Sequence, residues 1–482
     1  MKKITYIYRT ALVMGAALLA GCNFLSEQSQ EEVIPKTAKD LGEVLMGSGY
    51  PLPTQDCLSF LYLLDDDTQS NHAGVPSIAG YQSYQDAFAA HTWQPDMADR
   101  LHTAPSLANG SAYSQLYTLI NACNAILDLV DGSIGSPEER AIVKAEALAL
   151  RAFHYLYLVN IYAAPYNTGK DSPGVVLKVV AGVDAEPMRR STVAEVYAHI
   201  VADLRESIEL FSQCPPSRGN YRINLSAAYI LLSRTYLYME EWDNCIEAAT
   251  HAIALGNGLS DIRGNESWAP VAVYQFGETE WVYGYTKSDS GPTTDNIEFV
   301  PSTALVSLYD MDNDKRYKTF FRSAGRPAGT GYYSAMVVNK NDYAMVTRTM
   351  LGNSVRIAEA FMNRAEAYVR KNDPKAADDI NAIRSNRIMG YTPVASVTLD
   401  DVLTERRKEF CFEIPRWFDL RRNGMPGIVH TWRSGENEPE LTYTLKANDP
   451  MYTLPIPSGA FGQNGALTQN DSRDSGERQG TM

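Results

Sequence analysis

Apolar residues recur at helical spacing through two blocks of the chain, 111–131 (SAYSQLYTLINACNAILDLVD) and 136–163 (SPEERAIVKAEALALRAFHYLYLVNIYA). Positions i, i+3, i+4 and i+7 share one face of a helix, so each block predicts an amphipathic helix. The second opens on Ser136-Pro137-Glu138-Glu139. A proline in the first helical turn sacrifices no hydrogen bond, because the N–H there has no intrahelical partner, and the tetrapeptide therefore marks a helix entry. Pro165 halts the run.

A third block, 191–256, predicts a helix over STVAEVYAHIVADLRESIELF and then a helical hairpin over NLSAAYILLSRTYLYMEEWDNCIEAATHAIALG. Tyr229, Leu232, Ser233 and Tyr236 line the first helix of the hairpin. Trp242, Cys245, Ala249 and Ala252 line the second, with small residues where the two helices must approach. This is the tetratricopeptide pattern. A second copy is readable at 356–388, where Phe361, Ala365 and Tyr368 lie in the first helix, Asn372-Asp373-Pro374 makes the turn and Ala377 takes the place of Cys245. One hairpin cannot bury its apolar face alone, so two readable copies imply degenerate ones, for which 111–163 is the candidate.

The helical period fails in two segments, about 49–110 and about 257–350, which are rich in Gly, Pro, Ser and Asn. Within the second, TEWVYGY (279–285) puts Trp281, Tyr283 and Tyr285 on one face of a strand, with Trp281 read as core. The predicted fold is mainly α: a tetratricopeptide-type helical hairpin scaffold, about 111–256 and 353–425, carrying irregular, partly β loop insertions. Residues 37–482 are read as a single domain. Ligand residues concentrate in loops held by such a scaffold.

The N-terminus changes the picture of location. MKKITYIYR is basic, and the apolar run ALVMGAALLAG has 11 residues before Cys22. That is shorter than the roughly 20 residues needed to span a bilayer, so 1–21 reads as a secretory signal. LLAGC (18–22) resembles a bacterial lipobox, which makes Cys22 the lipidation site and 22–36, polar and acidic, a tether. Acyl chains contribute about 0.8 kcal/mol per buried CH₂, and several chains on one cysteine give a stable anchor. The formal charge of −14 excludes a generic nucleic-acid groove, which needs a basic stripe. Loss of 1–21 removes Lys2, Lys3 and Arg9 and makes the remainder more acidic still. Cys57, Cys123, Cys214, Cys245 and Cys411 are scattered and form no CxxC, so no disulfide framework is expected.

Catalytic signatures fail. HExxH, GxSxG and CxxC are absent, GNGLSD (256–261) lacks the third glycine of a dinucleotide loop, and GKD (169–171) lacks the Ser or Thr of a phosphate loop. DMDNDKRY (310–317) begins like a calcium loop, but Lys315 and Phe321 stand where an EF-hand needs Gly and Glu. That loop and LLDDDT (63–68) read as solvated acidic loops, so no metal and no cofactor is expected. ERRKEFCFEIPRWFDLRR (405–422) is the stretch most like an enzyme's, with Glu405, Glu409 and Glu413 at i, i+4 and i+8. A glycosidase needs two carboxyls flanking a bond, whereas a helix would set these three parallel along one face. Arg406, Arg407, Lys408, Arg416, Arg421 and Arg422 lie among them. The column reads as an ionised brace held by these cations, over Phe410, Phe412, Trp417 and Phe418.

Four segments together resemble the SusD/RagB family of outer-membrane nutrient-uptake lipoproteins: LLAGCNFL, AEALALRAFHYLYLVNIYAAPYN (145–167), ERRKEFCFEIPRWFDLRR and YTLPIPSGAFGQNGALTQN (452–470). The chain departs from the family pattern at Ile414-Pro415, where Gly and His are usual, and at Gly465, where Pro is usual. The resemblance implies a lipid-anchored, cell-surface protein of the outer membrane that binds glycan and caps a SusC-like TonB-dependent transporter. It implies ligand residues in the variable loops and no catalytic residue. A peptide ligand, as in the RagB branch, is the alternative, and a surface glycoside hydrolase is a third reading.

Sugar rings stack their C–H faces on aromatic planes while their hydroxyls seek Asp, Asn or His. On that ground the expected ligand residues are Tyr81, Tyr84 and Trp93, with Asp67, Asn71 and His72 just upstream, and then Trp268, Tyr332 and Tyr333 in the second insertion. The sequence leaves the glycan unnamed.

Overall fold

The computed structural model describes residues 35–52, 57–103, 112–182, 186–214, 219–284, 298–328, 331–338, 340 and 353–482. The expected signal peptide, Cys22, the tether up to residue 34 and Tyr285 lie outside the described residues, and Tyr332 and Tyr333 are described by their backbone alone.

The fold is mainly α. Helices of six residues or more are α1 (Ala38–Ser48), α2 (Gln82–His91), α3 (Met97–Thr103), α4 (Ala112–Val130), α5 (Pro137–Tyr162), α6 (Val193–Ser212), α7 (Leu225–Met239), α8 (Trp242–Leu255), α9 (Lys315–Phe320), α10 (Ile357–Arg370), α11 (Ala376–Ser385), α12 (Leu399–Phe410), α13 (Arg416–Arg422) and α14 (Ser458–Gln463). Their starts are written in the sequence. Ser136 Oγ accepts the Glu139 N–H at 3.1 Å while Glu139 Oε2 accepts the Ser136 N–H at 2.8 Å, a reciprocal cap that closes the entry to α5. Thr37, Thr192 and Thr398 cap α1, α6 and α12 in the same way. Each such cap contributes about 1 kcal/mol.

From α4 to α8 each helix packs on the next, and α8 then packs on α10 and α10 on α11, in one continuous row. The two hairpins read from the sequence are α7–α8 and α10–α11. From Ala145 to Tyr162, α5 is buried on every side, which is why its second half reads as apolar all round. Cys245 and Ala249 sit fully buried, with Cys245 beside the Asn363 carbonyl, so the small residues of α8 also admit α10, the first helix of the second hairpin.

Among the described residues, four two-stranded antiparallel sheets accompany the helices. β1 (Thr68–Ser70) pairs with β3 (Phe299–Pro301), β2 (Thr279–Tyr283) with β6 (Asn353–Arg356), β4 (Phe321–Ala328) with β5 (Gly331–Val338), and β7 (Ile428–Trp432) with β8 (Leu441–Leu445). The strand expected at 279–285 is β2, and Trp281 is core: its ring is fully buried between Tyr50 and Phe153. Gly284 follows because the chain at Pro51 runs against the strand end; a Cβ there would collide with the Pro51 carbonyl oxygen. The β1–β3 ladder joins residues of the first variable segment to residues of the second.

Candidate functional site

α12 ends at Phe410, and Phe412 adopts a left-handed conformation (φ 59°), so Glu413 stands in the turn beyond the helix and not in a three-membered helical column. All three glutamates are buried and ion-paired, but their cations are not those of the motif. Glu409 takes Arg316, Arg356 and Arg387 at 3.2, 3.0 and 2.9 Å. Glu413 takes Arg356 and Lys340 at 2.8 and 2.7 Å, and Glu405 takes Arg316 and Arg384 at 2.6 Å each. Glu278 completes the cluster through Arg356 and Arg387. Burial alone would raise these carboxyls; the guanidinium groups outweigh it, holding Glu405 and Glu413 below the usual range and Glu409 well below it.

Most of the motif's own cations reach outward, while Arg406 and Arg422 also meet Asp419 inside it. Lys408 pairs with Asp314 at 2.6 Å, Arg406 with Asp419 at 3.0 Å, and Arg422 with Glu366 at 2.5 Å. Arg421, buried, donates to the carbonyls of Asn160, Ala163 and Tyr452, tying the end of α5 to the C-terminal segment. Asp314, expected in a solvated acidic loop, is instead buried between Arg316 and Lys408. The brace expected from the sequence is therefore present with its partners exchanged.

The first-insertion cluster is largely absorbed by the same framework. Asp67 is buried, with its Oδ1 accepting from Arg407 Nε at 2.6 Å. Asp66 takes Arg416 at 3.0 Å, and Arg416 with Arg407 outweighs burial to lower its pKa. Asp65 Oδ1 accepts the Asp67 N–H at 3.0 Å, and burial with the charges of Asp67 and Asp66 pushes its carboxyl well up. His72 is buried between Ser70 Oγ, 2.7 Å from Nδ1, and the Glu440 carboxylate at Nε2.

Trp93, the expected stacking platform, is corrected by the structure. Its ring is fully buried, lies on His430 with centroids 4.4 Å apart, and donates from Nε1 to the Leu64 carbonyl at 2.9 Å. His430 in turn stacks on His91 at 4.0 Å. The left-handed backbone of Trp93 (φ 52°) costs on the order of 1–3 kcal/mol, which this column offsets. Tyr84 is likewise buried, its ring 3.9 Å from that of Trp432. Neither ring has a face to offer a ligand. Tyr81 and Asn71 remain half-buried at the edge of the cluster, Asn71 with its N–H on the Glu298 carbonyl.

The second insertion keeps more surface. Trp268 is half-buried, with the Arg322 guanidinium 6.0 Å from its ring centroid. The Ala269 N–H donates to the Thr319 carbonyl at 3.3 Å, which seats the Trp268 segment on α9 just ahead of β4. Tyr333 and Tyr332 pair with Arg326 and Pro327 in the β4–β5 hairpin. That hairpin lies against β3, which pairs with β1, so Trp268, the hairpin and the rim of the first insertion are linked elements. Arg322 was missed from the sequence because nothing local ties it to a tryptophan 54 residues earlier. Among the described residues no group of three or more His, Cys, Asp or Glu is placed to hold a metal ion.

Residues 57–237 match a SusD-like family model described as starch-binding and associating with the outer membrane, and residues 318–472 match the model of the SusD family. The chain belongs to the SusD/RagB family. A SusD-like protein P2 of Formosa agariphila is 22% identical, over 96% of this chain and 99% of its own. A SusD superfamily structure from Bacteroides thetaiotaomicron superposes with TM-score 0.69 at 22% identity, covering 90% of this chain and 99% of that one. A SusD-like carbohydrate binding protein from Bacteroides vulgatus gives TM-score 0.68 at 20% identity, covering 90% and 97%. In this SusD-family chain the departure at Ile414-Pro415 is accommodated: Ile414 is buried, and Pro415 opens α13 by accepting the Phe418 N–H. No helix of the described residues is long and apolar enough to cross a membrane.

Proposed function

We propose that this SusD-family chain is a lipoprotein of the outer-membrane surface, anchored through Cys22, that binds a glycan and delivers it to a SusC-like TonB-dependent transporter. The observation that carries this reading is the match of residues 57–237 to a family model described as starch-binding and outer-membrane-associating. The exposure of the second insertion supports placing the contact there. Of the expected aromatic residues with described side chains, Trp268 keeps a ring partly open and has a guanidinium beside it, a combination that suits stacking of a sugar face with hydrogen bonds to its hydroxyls. Tyr332 and Tyr333 of the neighbouring hairpin, and Asn71 and Tyr81 across β3, belong to the same proposed surface; Asp67, His72, Tyr84 and Trp93 support it from below.

No catalytic role is assigned. The carboxylates most like a glycosidase pair, Glu409 and Glu413, are consumed by arginine and lysine. The test is a glycan array and a peptide array run in parallel on the chain from residue 23 onward. Binding to one or more glycans supports the proposal; binding confined to peptides overturns it in favour of the RagB-like alternative.

A further inference from the structure

Tyr221 and Tyr274 are 48% and 38% exposed, so both rings are open to solvent. Their ring centroids nonetheless lie 5.0 Å apart, with the planes at 35°. They arrive from different parts of the chain, Tyr221 just ahead of α7 and Tyr274 just ahead of β2. Asn220 binds the two together. Its Nδ2 donates to the Tyr274 carbonyl at 2.8 Å and to the Thr279 carbonyl at 3.3 Å, while its own carbonyl accepts the Val282 N–H at 2.9 Å. Thr279 Oγ1 donates to the Val273 carbonyl at 2.8 Å and closes the turn beneath Tyr274. Both backbones are thus fixed, and a tyrosine has only two side-chain torsions to lose, so little ordering remains to be done on binding.

The surroundings narrow the occupant. Arg222, next to Tyr221 in sequence, is turned to Glu146 at 2.8 Å and Glu43 at 3.1 Å, which pairs off its charge. Two rings with hydroxyl tips make a small, uncharged, amphipathic surface. A stable protein interface needs about 800 Å² on each partner, far more than two side chains supply. One pyranose ring, with an apolar C–H face and a rim of hydroxyls, matches the pair in both size and polarity.

We propose that Tyr221 and Tyr274 form a second sugar-contact site, taking the C–H face of one neutral pyranose unit of a glycan polymer. This rests on the glycan-binding reading above and extends it. Trp268 and Tyr274 are six residues apart, so their Cα atoms are separated by at most about 20 Å. A polymer engaging both would gain from the second contact being intramolecular.

The test is retardation of the chain from residue 23 onward in native gels cast with amylopectin, galactomannan or xylan in turn. Tyr221→Ala/Tyr274→Ala is expected to bind the retarding polysaccharide roughly three- to tenfold more weakly, with an unchanged thermal midpoint. Tyr221→Phe/Tyr274→Phe, which keeps both rings, is expected to be retarded like the wild type. Equal retardation of the alanine variant and the wild type overturns this site and leaves the glycan reading standing. A phenylalanine variant as weak as the alanine one overturns stacking as the mode of contact. Absence of retardation of the wild type in every gel overturns this site and counts against the glycan reading too.

Discussion

Glu409 accepts from Arg316, Arg356 and Arg387, and every member of that group is shielded from water. Removing one partner of such a cluster leaves charges that nothing else compensates, at a cost of about 3–5 kcal/mol. Glu409→Gln should therefore lower the urea midpoint by that equivalent; a variant as stable as the wild type would contradict the brace. Trp93→Ala should likewise destabilise by about 3–5 kcal/mol, because it empties a fully buried site. Trp268→Ala, at a half-buried position, should change stability by less than about 1 kcal/mol in the same titration. The contrast between the two tryptophans marks the limit of local reading. Trp281 reads as core because its neighbours Val282 and Tyr283 belong to the same apolar strand. Trp93 sits in the polar run HTWQPD, while the His430 that covers it lies more than 300 residues away, beyond the reach of any pattern in the segment.

At the scale of elements, α12, α13 and the turn between them form a hub that holds both variable segments. Arg407 and Arg416 grip Asp66 and Asp67 of the first, while Glu409, Glu413 and Lys408 grip Arg316, Lys340 and Asp314 of the second. That this stretch is a charged brace was legible, since carboxylates and cations crowd within it. Which cation meets which carboxylate was not, because Arg316, Lys340, Arg356 and Arg387 come from four other places in the chain. The buried ionisable groups also set a pH response. Burial pulls His154 down to about 4, with His91 and His430 also lowered. Between about pH 6.5 and 4 the unfolded chain takes up protons that these folded histidines refuse, so their contribution to stability falls as pH falls. Asp65, raised by burial and its acidic neighbours, works in the opposite sense: its contribution is present at low pH and is lost as pH rises above its unfolded value near 4. Thermal midpoints measured from pH 7 to 4 should fall less steeply in His154→Gln than in the wild type and more steeply in Asp65→Asn. The reverse order would contradict these assignments.

For the whole molecule, the helical period foretold the row from α4 to α11, because burying one face of a helix leaves a repeating trace in sequence. The small sheets left almost none: β1 and β3 have three residues each and meet across more than 200 residues. The proposed anchor is tested simply. Cys22→Ser should shift the protein from the membrane pellet to the soluble fraction, and retention of the variant in the pellet would contradict lipidation at Cys22. The proposed function puts a glycan on the surface around Trp268. Isothermal titration of the strongest array glycan into the wild type and Trp268→Ala decides whether that surface binds. A loss of roughly three- to tenfold in affinity at unchanged thermal midpoint is the predicted result. Equal affinities for the two proteins would contradict it.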